Sequence, residues 1–145
     1  MTSDELENLA RIGKLKKEPP LIREYEGLLR SADSRLADAE NESNSLESRF
    51  DLAYGASHAL ALAALRRAGY RSEIRALVFQ ALPVTLGVPN EVWRVLATAH
   101  EKRNLSEYEG WYGMDERLVT DVIEAAKKVR SALQALGPLG RTGER

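Results

Sequence analysis

The sequence predicts an all-α protein, an antiparallel bundle of four or five helices. Two observations carry that expectation. Leu, Ala, Glu, Arg and Lys, residues that favour helix, recur along the chain, and apolar positions return every three or four residues in successive stretches. Nowhere does a run of β-branched residues alternate with polar ones, as a half-buried strand requires. The 145 residues, 43% apolar and 30% charged, suit one domain. It divides into a helical segment over 1–18, a bundle over 19–137 and a flexible tail over 138–145.

The first helix is expected from Ser3 to about Lys17, with Leu6, Leu9, Ile12 and Leu15 on one face. Ser3 serves as N-cap and Asp4 and Glu5 favour the positive end of the helix dipole. Pro19 and Pro20 end it. From Leu21 a stripe of Ile22, Tyr25, Leu28, Leu29, Ala32, Leu36 and Ala39 predicts a second helix of about five turns. It dissolves in the turn formers 40–45.

The third helix carries Leu46, Phe50, Ala53, Tyr54, Leu60, Ala61, Ala64 and Leu65. Its stretch from His58 to Leu65 is apolar nearly all round, which predicts a central position, and Gly69 caps its end. Ser72 and Glu73 open a shorter helix through Ile74, Leu77, Val78 and Leu82, interrupted at Pro83. After the turn at Gly87–Asn90, a fifth helix runs from Glu91 to about Tyr108. The last begins at Asp115, buries Leu118, Val122, Ile123, Ala126, Val129, Leu133 and Leu136, and stops at Gly137 and Pro138.

Charge and composition exclude several functions. With 21 Lys and Arg against 22 Asp and Glu, the net charge of −1 supplies no bulk attraction to nucleic acid. There is no cysteine and there are only two histidines, so neither a thiolate site nor a His-rich metal centre is expected. No metal and no cofactor are anticipated, and phosphate-binding glycine motifs are absent. The N-terminus lacks an apolar leader and no run approaches the roughly 20 apolar residues of a membrane span. The expectation is a cytoplasmic protein without membrane association. Its function must rest on a small local site.

One stripe changes character. The inward face of the fifth helix opens with Val92, Val95, Leu96 and Ala99, then continues as His100, Arg103, Asn104, Glu107 and Tyr108. Burying Arg103 and Asn104 without partners costs several kcal/mol. The bundle must therefore pair them internally, open a cleft beside them, or present them to another molecule. A solvated helix end satisfies the same pattern. Asp51, beside Phe50 on the third helix, reaches this end if the helices pack antiparallel, and is otherwise surface charge. His58, in its apolar surroundings, fits a core histidine bonded to a backbone carbonyl.

The segment Arg103-Asn104-Leu105-Ser106-Glu107-Tyr108 resembles the signature of HEPN domains, small helical bundles in which an Arg, often followed by Asn, precedes a His near the end of a late helix. The run from Phe50 through Tyr54 and His58, closing at Ala68-Gly69-Tyr70, is similar to that family's central helix. The resemblance extends over about Leu21 to Leu136. It implies a metal-independent ribonuclease or a catalytically silent relative, often a homodimer, and often a toxin beside a small nucleotidyltransferase antitoxin. An Arg fork would clamp phosphate and an imidazole would move the proton of a ribose hydroxyl.

The chain departs from that pattern at Tyr108, which stands where the family has His. A phenol, with a pKa near ~10, is about a thousandfold from half-ionised at pH 7 and is a poor general base. Two alternatives stay open. His100, one turn before Arg103, supplies the imidazole, with Tyr108 donating a hydrogen bond or stacking. Otherwise the site binds RNA or nucleotide with weak or no chemistry, using Arg103, Asn104, Glu107 and Asp51. The expected reading is this second one.

Overall fold

The computed structural model describes residues 3–109 and 115–140, which are 74% helical and include one two-stranded sheet. The predicted all-α bundle is what the chain forms. Helix α1 spans Ser3–Arg11, α2 Ile22–Glu40, α3 Leu46–Arg67, α4 Arg75–Gln80, α5 Leu82–Thr85, α6 Asn90–Glu109 and α7 Glu116–Ala135.

Helix α3 is the hub, packing against α2 and α7 and touching α4, α5 and α6. Phe50, Ala53, Ala56, Leu60, Ala63 and Leu65 on α3 are fully enclosed, which accounts for its nearly all-round apolar sequence. Side-chain pairs fix the helix directions. Arg67, at the end of α3, donates to Tyr25 near the start of α2, so these two run antiparallel. Arg67 also donates to the carbonyls of Leu136 and Gly137, capping the end of α7 and placing α3 and α7 parallel. Arg130 and Lys127 of α7 pair with Asp33 and Glu40 of α2, so α2 and α7 are antiparallel. Ser45 and Asp115 cap α3 and α7 through Ser48 and Leu118 backbone N–H groups.

Three local features differ from the periodicity. Helix α1 stops at Arg11, six residues short of Lys17. Gly13, at φ 84°, supplies the left-handed residue of a Schellman turn, in which Gly13 N–H donates to Ala10 and Lys14 N–H to Leu9. The chain then turns extended, and Lys16 and Lys17 pair antiparallel with Arg71 and Tyr70. Leu15 remains in the core at 2% exposure while Ile12 is left at 67%, so the helical stripe is broken between them. Helix α4 starts at Arg75 rather than Ser72, whose hydroxyl accepts from Ile74 N–H and donates to the Lys14 carbonyl. Helix α6 starts at Asn90, one residue before Glu91, and the Asn90 side-chain oxygen accepts from the Trp93 indole at 3.1 Å.

The N-terminal segment is held to the end of α3 by a buried guanidinium. Arg66, 1% exposed, donates to Glu24 at 2.7 Å, to the carbonyls of Glu18, Pro19 and Tyr70, and lies 3.2 Å from the Glu18 carboxylate. Arg71 pairs with the same two glutamates. A buried charge needs this saturation to offset its desolvation. Residues 111–114, the expected connection into α7, and 141–145, most of the expected flexible tail, lie outside the described residues.

Candidate functional site

Three helices each bring two residues, one turn apart, to a single place beside the N-terminal half of α3. Helix α3 gives Tyr54 and His58, α4 gives Arg75 and Phe79, and α6 gives His100 and Arg103. Spacings of three and four put both members of each pair on one helix face. Tyr54, 2% exposed, is the centre. Its hydroxyl lies 2.9 Å from His100 Nδ1 and accepts from Arg75 Nη1 at 3.4 Å. The guanidinium carbons of Arg103 and Arg75 sit 5.0 and 5.8 Å from its ring centroid, within cation–π range. Phe79 closes the back, with its ring 5.9 Å from both Tyr54 and His58 and 6.2 Å from His100.

Burial and positive neighbours act on the imidazoles in the same direction. His58 is pushed down to about 4, first by desolvation and then by the charges of Arg75, His100 and Arg103. His100 is lowered by desolvation, then Arg75 and Arg103, with Glu101 opposing. Both rings are therefore neutral at pH 7. The site holds two guanidiniums, two uncharged imidazoles and a phenol, a local excess of positive charge in a chain of net charge −1.

Hydrogen-bond direction follows from what each group can do. A guanidinium only donates, so Tyr54 oxygen accepts from Arg75. The hydroxyl keeps both its proton and a second lone pair, so the Tyr54–His100 bond runs in either direction according to which imidazole nitrogen is protonated.

Of the residues singled out from sequence, His100 and Arg103 meet in this cluster, both half-buried. Asn104 is on the solvent side of α6, and Asp51 is exposed on α3, one turn before Tyr54. Glu107 and Tyr108 belong to α6, but their side chains lie outside the described residues. His58 differs from expectation: its described contact is the edge-on Phe79 ring, 5.9 Å away, in place of a backbone carbonyl. Tyr54, Arg75 and Phe79 were not singled out for the site. One signal for the first was available, because Tyr54 stands one turn before His58 in a mostly apolar stretch.

Among the described residues no group of three or more His, Asp or Glu is placed to hold a metal ion. No described helix is long and apolar enough to cross a membrane. The chain matches no protein-family model, no curated protein and no solved structure. Fold and site together define an all-α bundle with a cationic, histidine-containing cluster where α3, α4 and α6 meet.

Proposed function

We propose that this cluster is an RNA- or nucleotide-facing site that binds phosphate with weak or no chemistry. The observation that carries the reading is the convergence of Arg75 and Arg103 on Tyr54, beside imidazoles lowered first by burial and then by those charges. Guanidiniums in a partly desolvated setting form strong, charge-assisted bonds to phosphate oxygens. His100, lowered by burial and then by both arginines, adds an imidazole bonded to the Tyr54 hydroxyl. Asn104 and Asp51, exposed at the same end, would meet the remainder of a ligand.

Calorimetric titration with single-stranded RNA and with mononucleotides tests this directly. Binding of either, weakened about tenfold or more by Arg103→Ala, is the expected result. No binding of any phosphate-bearing probe sinks the reading. If Arg103→Ala instead moves the protein from dimer to monomer on a sizing column and no ligand binds, the arginine is a clasp between copies.

A second reading, a metal-independent ribonuclease working as a toxin with a nucleotidyltransferase-type antitoxin, is favoured by one feature. His58 brings a second neutral imidazole to the cluster, so a base is available apart from His100. It predicts RNA cleavage in EDTA, abolished by Arg103→Ala and by His58→Gln. In either reading the protein is a homodimer, which the sizing column also tests.

A further inference from the structure

We infer that the strap 12–17 and the turn 71–74 together form a docking surface for a partner protein, which presents an acidic segment carrying apolar side chains. The inference is independent of the phosphate-binding reading. Ser72 sews the two stretches together: its hydroxyl donates to the Lys14 carbonyl and accepts from Ile74 N–H, both at 3.1 Å. Two grooves border the strap and share Gly13 and Lys16. One, of about 370 Å³, adds Lys14, Arg71, Glu73 and Ile74 to its lining, and the other, of about 500 Å³, reaches Glu7, Arg11 and Lys17.

Apolar and charged features coincide here. Among the described residues four large apolar side chains are exposed, and two of them, Ile12 at 67% and Ile74 at 46%, belong to this surface. A single exposed apolar residue is ordinary, whereas two at one groove gain from being covered. Residues 11–17 hold four cations and no acid. Lys14 enters no ion pair among the described residues. Lys16 lies 3.7 Å from Glu18 with its side chain 74% exposed, a pair that water screens. The neighbouring carboxylates already have partners: Lys17 and Tyr70 hold Glu7, and Arg66 and Arg71 hold Glu18 and Glu24. The strap therefore presents a positive surplus, in a chain of net charge −1, that complements Asp and Glu. Protein fits better than RNA. Among the described residues no aromatic side chain lines either groove, so bases would find no platform to stack on.

The test selects random dodecapeptides from a display library on the whole chain at physiological salt, then synthesises and titrates the enriched peptide. Enriched sequences should be rich in Asp and Glu and contain Leu, Ile, Val or Phe. Lys14→Glu and Ile74→Ser, both at exposed residues, should each weaken that peptide about tenfold or more. Arg103→Ala should leave it unchanged. Serine suits the N-cap position of α4 better than isoleucine, so a loss in Ile74→Ser is not one of folding. Selection of no peptide, of basic or uncharged peptides, or of an acidic peptide indifferent to either substitution overturns the inference. Phosphatidylserine vesicles and hexauridylate are titrated with the same variants. If either binds and loses its hold in Lys14→Glu, while no acidic peptide is selected, the surface belongs to a membrane or to RNA and the inference falls.

Discussion

Acid should unfold this protein earlier than its carboxylates alone dictate, and His58 is the main cause. Its pKa falls from 6.5 to about 4 on folding, through burial first and the charges of Arg75, His100 and Arg103 next. The unfolded chain thus takes up this proton more readily than the folded one. The contribution is fully present above pH 6.5 and is lost as pH falls towards 4. At about 1.4 kcal/mol per tenfold change, the whole displacement corresponds to roughly 3 kcal/mol, and about 2 kcal/mol is already lost at pH 5. His100, lowered in the same direction, adds to the loss. The acidic groups act lower down. Glu18, held below the usual carboxylate value by its bond to Arg71, contributes stability that disappears only below 4.5. Urea unfolding at pH 7.5, 6.5, 5.5 and 5.0 separates the two windows. The natural sequence should lose about 2 kcal/mol or more across the series, and His58→Gln less than half of that. An unchanged slope in His58→Gln would falsify the placement of this imidazole among the cations.

Removing the buried guanidinium in Arg66→Met should cost about 3 kcal/mol or more, because the carbonyls of Glu18, Pro19 and Tyr70 lose their donor while Arg71 alone still bridges Glu18 and Glu24. Hydrogen exchange should then speed up selectively over residues 3–20, and uniform exchange would argue against a clasp. Gly55→Ala should be neutral or stabilise by up to about 1 kcal/mol in thermal melts, since alanine favours helix. The new Cβ meets only Arg35 side-chain atoms, at 3.2 Å, and that exposed chain can move; a loss above 1 kcal/mol would mean α2 and α3 are locked more closely. RNA held by Arg75 and Arg103 should show a log–log salt slope of only about −1 to −2. A slope near −5 would demand a far wider basic surface than these two residues offer.

The helices were legible because their signals are local. Ser45 and Asp115 sit where caps belong, and the stripes of α2, α3 and α7 name most of their buried faces; Leu136, expected to be buried, lies past the end of α7 and is 49% exposed. The short strand was not legible: two residues cannot display alternation, and Lys16 and Lys17 are both exposed. Ile12 and Leu15 kept helical spacing across a break made by the backbone of Gly13, which periodicity does not sense. At the site, the polar turn of α6 announced His100 and Arg103 in one stretch of sequence. Their partners are 21 to 46 residues from one another in sequence, as Arg75 and His100 are from Tyr54. Only the packing of α4 and α6 on α3 brings them together.

Two sets of arginines flank α3, and their surroundings assign them different work. At its C-terminal end Arg66 and Arg71 face Glu18 and Glu24, so opposite charges meet within the fold and the result is attachment of one segment to another. Arg75 and Arg103, towards the other end, share a phenol and two imidazoles. Histidines report the difference. Burial lowers both first, and the charges of Arg75 and Arg103 lower them further, outweighing Glu101 at His100. The potential felt inside that cluster is positive. An anion bound there would reverse it and make imidazole protonation easier. Linkage then requires that His58 and His100 titrate higher in the complex than alone. The same ligand that explains the arginines should therefore shift the acid-unfolding window described for His58.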